Sequence, residues 1–202
     1  NSCIFKSEII NLMAKKQPID TCSHSPKSGP RIRKIPEGDD RERLICPECD
    51  FILYDNPKIV VGTVCSYEDQ VLLCKRAIEP RPGFWTMPAG YMELGETTQD
   101  GARREAYEEA GVNVDIGSLL AIYNLPHINQ VQIFYRGQLD TDTLDPGLES
   151  AEARFYEWDE IPWDDLAFPT VTMALTFYKK TITQERFIPD QQVIESDLPS
   201  AV

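Results

Sequence analysis

The apolar residues of this chain change rhythm several times, and each change marks an element. Residues 59–65, Ile-Val-Val-Gly-Thr-Val-Cys, and 71–76, Val-Leu-Leu-Cys-Lys-Arg, are nearly continuous apolar runs joined by the polar stretch Ser66 to Gln70. Short, β-branched runs bounded by turn residues predict buried strands. Phe84 to Gly90 predicts a short strand behind the loop Pro80-Arg81-Pro82-Gly83. The period then lengthens. Ala102, Ala106 and Ala110 form one stripe, which predicts a helix over 97–110 lying close against a sheet. Thr97 or Thr98 suits its N-cap, Asp100 the positive end of its dipole, and Gly111 a left-handed residue at its end. Further strands are expected within 112–123, over 128–139, where Val131, Ile133 and Tyr135 alternate, and over 153–158. An acidic loop with Pro146-Gly147 fills 140–150, and a second helix is expected over 169–180, with Val171, Leu175 and Tyr178 apolar. Strands around one helix and closed by another predict an α/β fold with a mixed sheet between helices.

The ends of the chain lack this patterning. Residues 1–19 read as a flexible tail, 58–182 as the main domain and 183–202 as a C-terminal tail. Residues 20–57 are rich in proline and charge, have little core, and need a staple to fold. Cys46-Pro47-Glu48-Cys49 resembles the second knuckle of a zinc ribbon, whereas the first reads Cys22-Ser23-His24-Ser25, without its second cysteine. Three readings stay open: zinc on Cys22, His24, Cys46 and Cys49, a metal-free segment, or a disulfide.

Charge narrows the partners. The net charge is -13; residues 1–49 carry nine basic and seven acidic side chains, the remainder 11 and 26. That balance argues against a nucleic-acid duplex, and no run of 18 apolar residues suggests a membrane span. An anionic small molecule stays open to a site whose field is reversed by bound cations. The cysteines do not form a secreted disulfide pattern; Cys65 and Cys74 sit in strand runs as small buried hydrophobes.

The predicted helix carries Glu105, Glu108 and Glu109 at i, i+3 and i+4. Like charges at that spacing repel by a few tenths of a kcal/mol per pair. They make chemical sense around a hard divalent cation, which takes oxygen ligands and leaves positions open for water and phosphate. The other reading is a solvated acidic face. Arg104 lies where it can pair with Glu96 and brace the loop before the helix. Arg81 could hold a phosphate or be a surface arginine; Trp85 could stack on a base or belong to the core. Gln130 and Tyr135 are candidate base or ribose contacts, and His127 reads as a loop residue.

Gly90, five residues, Glu96, seven residues, then Arg104-Glu105-Ala106-Tyr107-Glu108-Glu109-Ala110-Gly111-Val112 resembles the Nudix box at all nine defined positions. The likeness extends through Ile35-Pro36-Glu37-Gly38-Asp39, Asp55 to Gly62, Trp85 to Tyr91, Pro146 to Ser150 and Asp159 to Pro162, covering roughly residues 20–178. These stretches look like the plant chloroplast FAD and ADP-ribose pyrophosphatase branch. The resemblance implies the Nudix α/β/α sandwich with a zinc-ribbon-like N-terminal segment. It implies Mg²⁺, with Mn²⁺ as an alternative, held by Glu105, Glu108, Glu109 and a carbonyl of Ala89-Gly90, with Glu96 and Arg104 as support. Glu149 is the first choice for a further ligand or general base and Glu152 the second; Glu105 is itself a candidate base. The implied reaction splits FAD or ADP-ribose at the pyrophosphate. NADH or diadenosine substrates are the alternative within the class. A Nudix-like sensor that binds without cleaving, or an interaction protein acting through residues 20–57, are alternatives outside it. The resemblance also implies a chloroplast location, the cytoplasm otherwise, with any transit peptide upstream of Asn1, and a homodimer by analogy.

Overall fold

The computed structural model describes residues 29–195. These fall into two compact units, divided between Asn56 and Pro57. In the first, β1 (Ile32–Lys34), β2 (Arg43–Ile45) and β3 (Ile52–Leu53) form an antiparallel sheet with β2 in the middle. Ile45 and Cys46 are buried, while Ile32, Ile35, Leu53 and Tyr54 are exposed. Ion pairs supplement this thin core: Arg31 with Glu48 at 3.0 Å and Arg43 with Asp39 at 2.9 Å. The Cys46–Cys49 knuckle is closed by backbone bonds, Cys46 N–H to Phe51 O at 2.8 Å and Asp50 N–H to Cys46 O at 2.9 Å. Cys22 and His24 lie outside the described residues.

The second unit is built on a mixed sheet. Its strands are β4 (Lys58–Tyr67), β5 (Gln70–Arg76), β6 (Trp85–Thr86), β7 (Ala89–Tyr91), β8 (Asp115–Leu125), β9 (Gln130–Gln138), β10 (Ser150–Tyr156) and β11 (Asp190–Val193). The spatial order is β10-β5-β4-β9-β8-β11, with β6 on β5 and β7 on β4. The β4–β9 and β8–β11 pairs are parallel and the rest antiparallel. The hairpin β4–β5 turns through Glu68 and Asp69, with Glu68 at φ 51. A positive φ at the first central residue matches the twist of a tight hairpin.

The apolar runs are continuous because both faces of the sheet are covered. On β5, Val71 and Leu73 face one side, Leu72 and Cys74 the other. Helix α1 (Thr98–Ala110) covers the second side, burying Ala102, Ala106 and Ala110 completely. Helix α2 (Pro169–Thr181) covers the first with Val171, Ala174, Leu175 and Tyr178. The result is the expected α/β/α sandwich.

Two expectations change. The segment expected as one strand over 84–90 is two short strands separated by Met87 and Pro88; a proline has no N–H to give to a ladder. Residues 190–193 are not loose. They add β11 to the edge of β8, where Tyr123 Oη donates to Asp190 at 3.1 Å.

Candidate active site

The α1 helix is fixed at both ends by local chemistry. Thr97 is the N-cap, its hydroxyl oxygen accepting from Asp100 N–H at 3.1 Å. Gly111 closes the helix at φ 71 and donates to Tyr107 O at 2.8 Å. With the alanine stripe against the sheet, Glu105 and Glu109 are turned inward, 8% and 6% exposed. Glu108 faces outward.

The β7 turn lies directly against these carboxylates. Ala89 N–H donates to Glu109 Oε2 at 3.2 Å. A Cβ at Gly90 would run into the Glu105 carboxylate, so only glycine lets backbone and carboxylate lie this close. Arg104 binds Glu96 through two bonds of 2.9 and 3.1 Å, and also reaches Glu105 at 2.7 Å, Glu108 at 2.9 Å and Tyr91 O at 3.0 Å. Glu96 also accepts from Glu93 N–H at 2.6 Å. The predicted brace is therefore present, and Arg104 serves as counter-ion to two of the box glutamates as well.

Burial raises the Glu109 pKa to about 8, partly offset by the Ala89 N–H and Arg76; the charges of Glu105 and Glu149 push it the same way as burial. Burial also raises that of Glu105, against the pull of Arg104. Glu96 is lowered by its bonds to Arg104. Two buried carboxylates that resist ionisation, beside a surface one, form a hard oxygen set that a divalent cation would convert to the charged form. Among the described residues no three His, Cys, Asp or Glu side chains are gathered tightly enough to hold an ion as they stand. Arg104 binds Glu105 and Glu108 as their counter-ion, while Glu109 accepts from Ala89 N–H. The chemistry of the donors, carboxylate oxygens beside a backbone turn, suits a hard divalent cation such as Mg²⁺ or Mn²⁺.

The structure sorts the remaining candidates. Glu149 lies close enough for its charge to bear on both Glu105 and Glu109. Glu152, within β10, bears instead on Tyr156. Trp85 is 7% exposed and packs edge-on against Tyr156 at 5.2 Å; it is a core residue, not a base-stacking one. Tyr135 is likewise buried, its hydroxyl bonded to Thr98 at 2.6 Å, so it braces the start of α1 instead of meeting a base or ribose. Arg81 donates to Ala167 O at 2.9 Å and covers Phe84 at 5.1 Å, which makes it a loop brace. Gln130 donates to Tyr91 Oη at 3.3 Å beside the box. His127 contacts Ile194 O at 3.0 Å.

Arg76 was not legible as a site residue. It ends β5, binds the carbonyls of Pro80 and Glu79 at 2.7 and 3.3 Å, and its charge acts on Glu109. The only trace in the sequence is a basic pair closing an apolar strand.

Comparison with known proteins identifies the family. Residues 56–179 match the NUDIX domain family and residues 28–55 the Nudix N-terminal family, a zinc-ribbon segment. The chain belongs to the Nudix family and is a Nudix hydrolase. A solved Nudix hydrolase from Nitrosomonas europaea is 45% identical, with a TM-score of 0.75 over 81% of this chain and 94% of that one. Among curated relatives, the ADP-ribose pyrophosphatase of Methanocaldococcus jannaschii is 29% identical over 55% of this chain and 69% of its own length. The NAD-capped RNA hydrolase NudC of Salmonella heidelberg is 27% identical over 71% of this chain, which spans 54% of that protein's length.

Proposed function

We propose that the protein is a Mg²⁺-dependent pyrophosphatase that splits ADP-ribose into AMP and ribose 5-phosphate, or FAD into FMN and AMP. The observation that carries this reading is the pair of buried carboxylates, Glu105 and Glu109, held by α1 against the backbone of Ala89 and Gly90. Glu105, Glu108 and Glu109, with the Ala89-Gly90 backbone, would hold the cation; Mn²⁺ suits the same oxygens. Bound there, it would neutralise the diphosphate and lower the pKa of water. Glu149 takes the proton from the attacking water, a role that requires a carboxylate within hydrogen-bond reach of it. Arg104 and Glu96 keep the loop before α1 in place, so that the ligands do not have to be ordered during turnover.

Substrate recognition falls to the end of the sheet beside the box. Tyr91 is 49% exposed, Lys58 lies 5.0 Å above its ring, and Val60 pairs with both Tyr91 and Gln132. Gln130, which reaches Tyr91 Oη at 3.3 Å on the exposed side, carries an amide able to pair with an amino or hydroxyl group of a nucleoside. ADP-ribose is supported by the name of the archaeal relative. FAD and a chloroplast location rest on the sequence resemblance. Zinc on Cys46 and Cys49, with Cys22 and His24, would staple the N-terminal unit.

A panel of ADP-ribose, FAD, NADH and diadenosine substrates, each incubated with Mg²⁺ and resolved by chromatography, tests the reading. AMP with ribose 5-phosphate or FMN is the expected product pair. If every substrate survives, the sensor reading replaces it.

A further inference from the structure

The acidic loop between β9 and β10 is docked on the last turn of α1 by backbone atoms. Asp145 N–H donates to Ala110 O at 2.9 Å, and the loop closes on itself where Ser150 N–H donates to Gly147 O at 3.1 Å. Ala77 N–H, just beyond β5, holds Glu149 O at 2.8 Å. Gly147 lies so close to the Glu108 carbonyl that a Cβ on it would overlap that oxygen. Gly111, at φ 71, also sits tightly against Asp145, where an added Cβ would lie 2.7 Å from its atoms. Leu144 packs on the small core beneath α1, whereas Leu148 is fully exposed. The loop is thus pinned on both sides of Glu149 while its own side chain stays in solvent.

We propose that Gly147 is a positioning residue: its lack of a side chain lets the loop seat on the Glu108 carbonyl, and this seat sets where Glu149 stands relative to Glu105 and Glu109. Helix ligands and loop carboxylate then keep one fixed spacing, since the contact that joins them is backbone to backbone. The inference rests on the reading of Glu149 as the base.

The test is a double-mutant cycle on the full chain with the substrate it splits in the panel. Gly147→Ala should lower kcat roughly 10- to 100-fold, the scale of a misplacement near 1 Å, with KM little changed. Amide exchange at Asp145 and Ser150 should quicken. Gly147→Ala combined with Glu149→Gln should be no slower than Glu149→Gln alone, because Gly147 acts through Glu149. Pro146→Gly, which only loosens the loop, should give a smaller loss that also vanishes on the Glu149→Gln background, and it stands in if Gly147→Ala does not fold. An impaired Glu149→Gln with additive losses overturns the docking role alone. Wild-type turnover in Glu149→Gln overturns the base reading and the proposal with it.

Discussion

Helices α1 and α2 have 13 residues each and cover opposite faces of one sheet, yet they are stabilised differently. The α2 helix buries bulk: Val171, Leu175 and Tyr178 enter the large core. Its last turn carries Lys179 and Lys180, and Arg136 caps it through Thr181 O and Gln184 O at 2.5 and 3.3 Å. Cations at that end complement the helix dipole. The α1 helix buries only Gly101, three alanines and two carboxylates, has no basic residue in its last turn, and places Glu108 and Glu109 there instead. An ionised acid at that end costs about 0.3–1 kcal/mol; Glu108 is on the surface, whereas burial favours the protonated form of Glu109. One helix is arranged for stability; the other gives up stability to keep charge in one place, and Arg104 offsets part of the loss. Strained electrostatics of this kind mark functional sites.

Breaking the charged side should have the largest effect. Glu108→Gln should lower turnover by orders of magnitude with an unchanged fold by circular dichroism; near-normal kcat would remove the metal-site assignment. Next comes the pH dependence of metal-free protein. Glu109 has its folded pKa raised to about 8, so the folded state keeps a proton that the unfolded chain releases. Its contribution is fully present below the unfolded value near 4.5 and is lost as pH rises through about 8, an effect on the order of a few kcal/mol. Melting in EDTA should therefore fall from about pH 5 to 8, Mg²⁺ should recover part of it at the upper end, and Glu109→Gln should flatten the profile.

On the apolar side, Leu175→Ala should cost about 2–5 kcal/mol in denaturant unfolding and leave kcat per folded molecule intact. Ala106→Leu sharpens the contrast. Overpacking under α1 should cost less, about 1–3 kcal/mol, yet reduce kcat, because the helix that is lifted carries the carboxylates. If Leu175→Ala harms kcat more than Ala106→Leu, the division of labour between the helices is wrong.

What could be read in advance follows from range. The caps Thr97 and Gly111, the alanine stripe and the Arg104–Glu96 brace depend on residues at most eight apart, and the linear pattern holds them. The linear pattern does not tell that Trp85 and Tyr135 face inward, because an aromatic residue does not disclose which face it turns to; sheet register decides that. Arg76 and Gly147 matter only because β5 and the 140–150 loop come to the end of α1. Asp190-Gln191-Gln192-Val193 has neither apolar alternation nor a turn signal, and it pairs with a strand nearly 70 residues earlier.

That late strand has a consequence for handling the protein. β8 runs for 11 residues at the margin of the sheet, and β11 covers four of them, Ala121 to Asn124. An uncovered long strand is a template for other chains. Trimming the chain before Asp190 would open those amide and carbonyl groups, so the shortened protein should self-associate, most visibly at high concentration, while its chemistry stays in place at the far side of the sheet.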